Sequence, residues 1–135
     1  LEVLDVSGCT ALTNECVEKI VSRVPEMQYL AIAGCTAIDD AAVQSVARNC
    51  RKLTLLNIAS CTGVSMASCM SLIHELPQLL RLVVSESSIS NAEVVMLSSL
   101  RETCEIVRNQ FRPVAPRTII GYKAPEVKKA AKGDK

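Results

Sequence analysis

Apolar positions along the chain follow two periods in succession, and the pair of periods returns at a fixed spacing. Leu1, Leu4 and Val6 open a stretch of alternating character, answered by Met27, Leu30 and Ile32, by Leu53, Leu56 and Ile58, and by Leu79, Leu82 and Val84. The offset is 26 residues each time. Alternation predicts a short strand. After each such stretch the apolar residues fall three and four apart: Val17, Ile20, Val21 and Val24, then Val43, Val46, Ala47 and Cys50, then Cys69, Leu72, Ile73 and Leu76. That spacing draws one apolar stripe along a helix.

Each unit therefore reads as strand, tight turn, helix and return loop. Pro25 and Pro77 fall just after two of the helices, where the chain must stop being helical. The fourth unit lacks one residue in its turn, and Ser90 with Glu93 forms a capping box that starts its helix. A fifth strand is expected near Cys104, with Ile106 and Val107 in the equivalent places, and beyond Phe111 the pattern ends. A strand–helix unit of this length has one face to bury and no interior of its own. Stacking solves this, because parallel strands pair along one side and each apolar face meets the next. At ~1.5–3 kcal/mol per buried aliphatic side chain, five or six such residues contribute on the order of 10 kcal/mol per unit before entropy is subtracted.

The recurring strings "LEVLDVSGCTALT", "MQYLAIAGCTAID" and "LTLLNIASCTGVS", with a fainter "LLRLVVSESSIS", resemble the cysteine-containing class of leucine-rich repeats. The resemblance covers roughly residues 1–104, with a partial repeat to about 112. It implies an α/β fold: a leucine-rich-repeat solenoid, or horseshoe, with parallel strands on the concave side and helices on the convex side. It also implies that Cys9, Cys35 and Cys61 point inward and bond to backbone in the turn; Ser87 stands where the fourth cysteine is expected and can still donate a hydrogen bond. Related repeats occur in F-box substrate receptors of ubiquitin ligases, in regulators of mitotic exit and in the axonemal dynein regulatory complex.

Composition narrows the core. One Phe, two Tyr and no Trp among 135 residues leave an aliphatic interior. No apolar run approaches the ~18 residues that would read as a membrane span, no signal peptide is legible, and a chain that begins at Leu1 inside a repeat is expected to be a piece of a longer protein. Seven cysteines at repeat spacing, without a CxxC, read as reduced buried thiols, which predicts the cytoplasm. No cofactor or metal is expected, and no enzyme activity. His74 corresponds to Arg48 and Ser22 in earlier units and so belongs on the outward, solvated side of its helix; Asp39 and Asp40 read as a helix-start pair.

Residues between the core positions of each strand face away from the helices. One column is Val3, Tyr29, Leu55 and Arg81; the next is Asp5, Ala31, Asn57 and Val83, with Arg108 continuing it; the third is Ser7, Ala33, Ala59 and Ser85. Small and apolar residues with few charges suit a protein segment better than a polyphosphate. Tyr29, large and apolar with a polar tip, is the best single anchor.

Two segments are expected: repeats over 1–112 and a Pro/Lys-rich extended tail over 113–135. The first carries nine Lys/Arg against twelve Asp/Glu, the second six against two. In the tail, Ile119, Ile120 and Tyr122 offer apolar contacts, while Lys128, Lys129, Lys132 and Lys135 suit an acidic surface. The expected function is a non-catalytic scaffold or adaptor in a larger assembly, cytoskeletal or axonemal, with tubulin among the compatible partners. The alternative is the substrate-recognition part of an F-box ubiquitin ligase. RNA or ribosome binding is weaker, because "VKKAAKG" offers charge but no stacking platform.

Overall fold

The computed structural model describes residues 2–109. Strands and helices alternate through β1 (Val3–Asp5), α1 (Asn14–Arg23), β2 (Tyr29–Ala31), α2 (Asp40–Asn49), β3 (Leu55–Asn57), α3 (Met66–Glu75), β4 (Arg81–Val83), α4 (Asn91–Leu100) and β5 (Glu105–Val107). The strands form one parallel sheet in chain order, β1-β2-β3-β4-β5. Parallel neighbours need a crossover, and each helix supplies it.

Register preserves the repeat. Leu4, Leu30, Leu56, Leu82 and Ile106 are paired in one row. All but Leu4, which is half-buried at the edge, are buried in a core shared with Val17 and Val21, Val43 and Val46, Cys69 and Leu72, and Val94 and Leu97 of the four helices. Pairing continues past the strand ends: the amides of Val6, Ile32 and Ile58 each donate to a carbonyl of the next unit at 2.9 Å. Two residues further on, Gly8, Gly34 and Ser60 donate likewise at 2.7 Å. All three, with Glu86 in the fourth unit, have positive φ. Glycine takes that conformation without strain and stands at two of the four places.

Each helix begins at a different polar residue. Thr13 accepts from the Cys16 amide, Asp39 from the Ala41 amide, and Ser90 with Glu93 completes a capping box. Ser65 makes no such bond; its hydroxyl and amide donate instead to the Asp40 carboxylate, at 2.8 and 2.7 Å. Asn14 and Asp39 are bonded in the same lateral sense, through Asn14 Nδ2 to Asp39 Oδ1 at 2.8 Å and the Asp39 amide to Asn14 Oδ1 at 3.1 Å. The helix starts are thus tied sideways, unit to unit.

The thiols at the repeat position behave as a ladder with an open first rung. Cys35 Sγ donates to Val6 O at 3.4 Å and Cys61 Sγ to Ile32 O at 3.2 Å, each reaching one unit back. Cys9 was expected to be buried like them and is exposed, as is Cys16. Its unit has no earlier strand beside it among the described residues, and β1 is an edge of the sheet. Ser87 does donate, but to Val84 O of its own turn at 2.6 Å. The turn from Ser87 to Ile89 is one residue shorter than Cys61 to Val64, and the hydroxyl closes it locally.

A second residue is lost before the last strand. From C-cap to strand start there are five steps at Leu76–Arg81 but four at Arg101–Glu105. Val83 consequently pairs with Val107, 24 residues on, and Arg81 with Glu105. This corrects the expected place of Arg108. Val107, and not Arg108, continues the column of Asp5, Ala31, Asn57 and Val83, and Glu105 joins the column of Tyr29 and Leu55. Arg108 turns toward the start of α4, donating to Ile89 O and to Asn91 Oδ1.

Candidate protein-interaction face

The strand residues that point away from the helices converge on one face. Its first row is Val3, Tyr29, Leu55, Arg81 and Glu105; its second is Asp5, Ala31, Asn57, Val83 and Val107. Tyr29 sits half-buried between Val3 and Leu55. Burial, with help from the nearby Asp5 carboxylate and against the Arg81 guanidinium, raises its phenol above the ordinary tyrosine range. The hydroxyl therefore stays protonated at neutral pH and remains a donor.

Asp5 and Asn57, expected to face a partner, each serve their own turn first. Asp5 Oδ1 accepts from the Ser7 amide and Asn57 Oδ1 from the Ala59 amide, both at 3.0 Å. Ser7 and Ser85 of the third column are likewise engaged, accepting from the amides of Ala33 and Asn109. Ala31 and Leu55 were expected to be open and are buried, at 1% and 5% exposure. Ile119, Ile120, Tyr122, Lys128, Lys129 and Lys132 lie outside the described residues.

Electrostatics concentrate at β4 and β5. Glu105 is buried, with Arg81 Nε 3.5 Å from its Oε1. The contact is an ion pair by distance only: neither that nitrogen nor either Glu105 oxygen makes a hydrogen bond.

A second surface escaped the sequence reading. α4 exposes Val95, Met96 and Leu100, and α3 exposes Met70. Between α3 and α4 runs a cleft of about 460 Å³ lined by Met70, Ile73, His74, Glu75, Leu100 and Arg101. The legible signal was "VVML" in α4, an apolar run that leaves little polar face. Arg101 closes the end of this cleft, donating to Leu76 O and Leu79 O at 2.8 and 3.1 Å, in the C-cap place that Val24, Cys50 and Leu76 occupy in earlier units. Among the described residues no group of three His, Cys, Asp or Glu side chains is placed to hold a metal ion. No described helix is long and apolar enough to cross a membrane.

No family model and no curated protein matches the chain. Solved structures do. A chain of the Rad7 and Elc1 complex in yeast superposes with a TM-score of 0.68 at 17% identity, over 86% of this chain and 31% of that one. This chain thus spans about a third of that structure's length. The Chaetomium Mex67:Mtr2 subunits give 0.60 at 16% identity, over 88% of this chain and 86% of that one. The Caenorhabditis elegans tropomodulin C-terminal domain gives 0.62 at 12% identity, over 98% and 90%. The fold so defined is α/β and leucine-rich-repeat-like, and two of these three neighbours come from structures of protein complexes.

Proposed function

We propose that the chain is a non-catalytic interaction module, a scaffold or adaptor that takes a protein segment on the outward face of its sheet. In this reading the units stack as a horseshoe with the strands on the concave side. The observation that carries it is the face itself. Tyr29 stands half-buried between Val3 and Leu55, in a row whose only charged members are Arg81 and Glu105, two and three strands further along. A tyrosine held rigidly among apolar neighbours is the kind of anchor around which interfaces form. Parallel strands in constant register repeat the same spacing along the face, which suits an extended or helical partner. Free cysteines, five of them buried, fit a reducing cytoplasmic setting.

The experiment is affinity capture from native extract with the wild-type chain and with Tyr29→Ala, followed by crosslinking mass spectrometry. A specific partner recovered at least tenfold less well by the variant, with an unchanged melting temperature, is the expected result. Equal recovery by both chains would remove Tyr29 and the face around it from the site. Crosslinks to tubulin or coiled-coil neighbours would place the module in the cytoskeleton, and crosslinks to ubiquitin-ligase adaptors would make it a substrate receptor.

A further inference from the structure

Four of the five large apolar side chains exposed among the described residues belong to one pair of helices: Met70 of α3, and Val95, Met96 and Leu100 of α4. A surface helix ordinarily turns a polar side outward. α4 buries Val94 and Leu97, yet elsewhere on its surface Val95, Met96 and Leu100 are 51%, 58% and 51% exposed. Earlier units do not share this. Six places after its N-cap, α2 has Ser45 at 3% exposure and α3 has the half-buried Ser71, where α4 has Met96. The serines are small enough for neighbouring side chains to cover, and the methionine is left open.

These residues frame the cleft between α3 and α4. Met70 and His74 stand one turn apart on α3, and Met96 and Leu100 one turn apart on α4. Ile73 lines the cleft from a buried position. An apolar trough between two parallel helices, about 15 Å long, has the shape that takes side chains of a third helix, and methionine walls adapt to what enters. Charge selects among helices. Neither α3 nor α4 contains Lys or Arg. The two helices end at the cleft, at Glu75 and Leu100, so the negative ends of two helix dipoles meet there with the Glu75 carboxylate. Exposed Glu102 follows close behind. The Arg101 guanidinium at this end is turned to the Leu76 and Leu79 carbonyls.

We propose that the α3–α4 cleft is a second interaction site, which takes a basic amphipathic helix of a protein partner. Two apolar side chains of that helix, one turn apart, enter between Met70, Met96 and Leu100, and a flanking Lys or Arg pairs with Glu75. The apolar contacts supply the affinity, and the acidic end of the cleft sets the orientation and rejects acidic helices. The site lies on the helical side of the sheet, opposite Tyr29, and does not depend on the reading of the strand face. A module with both sites joins two partners.

Methionine-methyl NMR on the full chain tests this, since its four methionines are Met27, Met66, Met70 and Met96. The probe is a synthetic helical peptide of about 14 residues, with Leu one turn apart on one face and Lys beside them; its twin carries Glu in place of Lys. The Lys peptide is expected to shift the Met70 and Met96 methyls saturably and to leave buried Met27 in place. The Glu twin should bind at least about tenfold more weakly. Met96→Ser with Leu100→Ser alters exposed side chains and should abolish the Met70 shift while Met27 stays in place. Glu75→Gln should narrow the difference between the twins, and Tyr29→Ala should leave both affinities unchanged. Unshifted Met70 and Met96, equal affinities for the twins, or binding lost in Tyr29→Ala would overturn the proposal. Met70 and Met96 shifts that follow protein concentration without peptide would give the cleft to a second copy and overturn it too.

Discussion

Cys61 donates its thiol to the carbonyl of Ile32, 3.2 Å away in the preceding unit. The same oxygen accepts the Cys35 amide at 3.3 Å, so one carbonyl closes a turn and fastens the next unit onto it. Cys61→Ala removes the donor and leaves a small void in a site with no exposed surface. The expected cost is roughly 1–2 kcal/mol in urea unfolding. Cys9→Ala, at the equivalent but exposed place, should change stability by less than ~0.5 kcal/mol. Equal effects at the two positions would show that the thiol bond between units contributes nothing.

The thiols also divide by reactivity. Cys9 and Cys16 are exposed, and Cys35, Cys50, Cys61, Cys69 and Cys104 are buried. Burial pushes Cys50 up to about 11, Cys69 to about 12 and Cys104 to about 11. Cys16 shifts the other way: its bonds from the Thr13 hydroxyl and with the Thr13 backbone, helped by the Lys19 charge, lower it from the usual thiol value. Since the thiolate is the nucleophile, a native chain at pH 8 should titrate two thiols with a disulfide reagent, Cys16 the faster. Denaturation should release all seven. Loss of the fast phase in Cys16→Ser would assign it; a fast phase that survives that change would contradict the lowered thiol.

Four strands and the helices that follow them were legible because Leu at the core positions of each strand and the three-and-four spacing of each helix recur at one offset. The fifth strand shows why the rest was harder. Counting one lost residue from Val83 leads to Arg108, but Arg101 at the C-cap shortens the return loop by another, and only the register of Arg81 with Glu105 reveals it. The turn residues were half legible: Gly8 and Gly34 announce positive φ, whereas Ser60 and Glu86 adopt it with no signal of their own. The face could be placed by alternation alone. Its burial at Leu55 and Glu105 could not, because alternation says which side of the sheet a residue takes and not how open that side is.

The glycines allow strain and crowding to be separated. A Cβ on Gly8 meets nothing within 4 Å, so Gly8→Ala tests only the cost of φ +81. About 1 kcal/mol of destabilisation is expected. Gly63 is different: a Cβ there would stand 3.0 Å from Ile38 O and 3.0 Å from Asp39 Cβ, where Gly63 bridges to Asp39. Backbone cannot step aside cheaply, and Gly63→Ala should cost on the order of 2 kcal/mol. Thermal unfolding of both variants gives the comparison, and a Gly63 variant as stable as wild type would mean that the two turns are not in contact.

Acid should loosen the stack at its helix starts. Partial burial of Asp40 works against its charge, but bonds from the Ser65 amide, the Ser68 hydroxyl and the Ser65 hydroxyl outweigh it and hold the carboxyl below its ordinary value of 3.8. A folded value below the unfolded one means that the unfolded chain takes up the proton first. The stabilisation is therefore complete above pH 3.8 and is lost as pH falls through the lower, folded value. Asp40→Asn keeps an oxygen for the Ser65 amide but has no charge to titrate. Measured in urea at a series of pH values, the variant should be less stable than wild type at neutral pH, and the gap should close below pH 3.8. A gap that stays constant from neutral to acid pH would mean that the charge on Asp40 does not join α2 to the start of α3, and that the amide bond alone holds the two units together there.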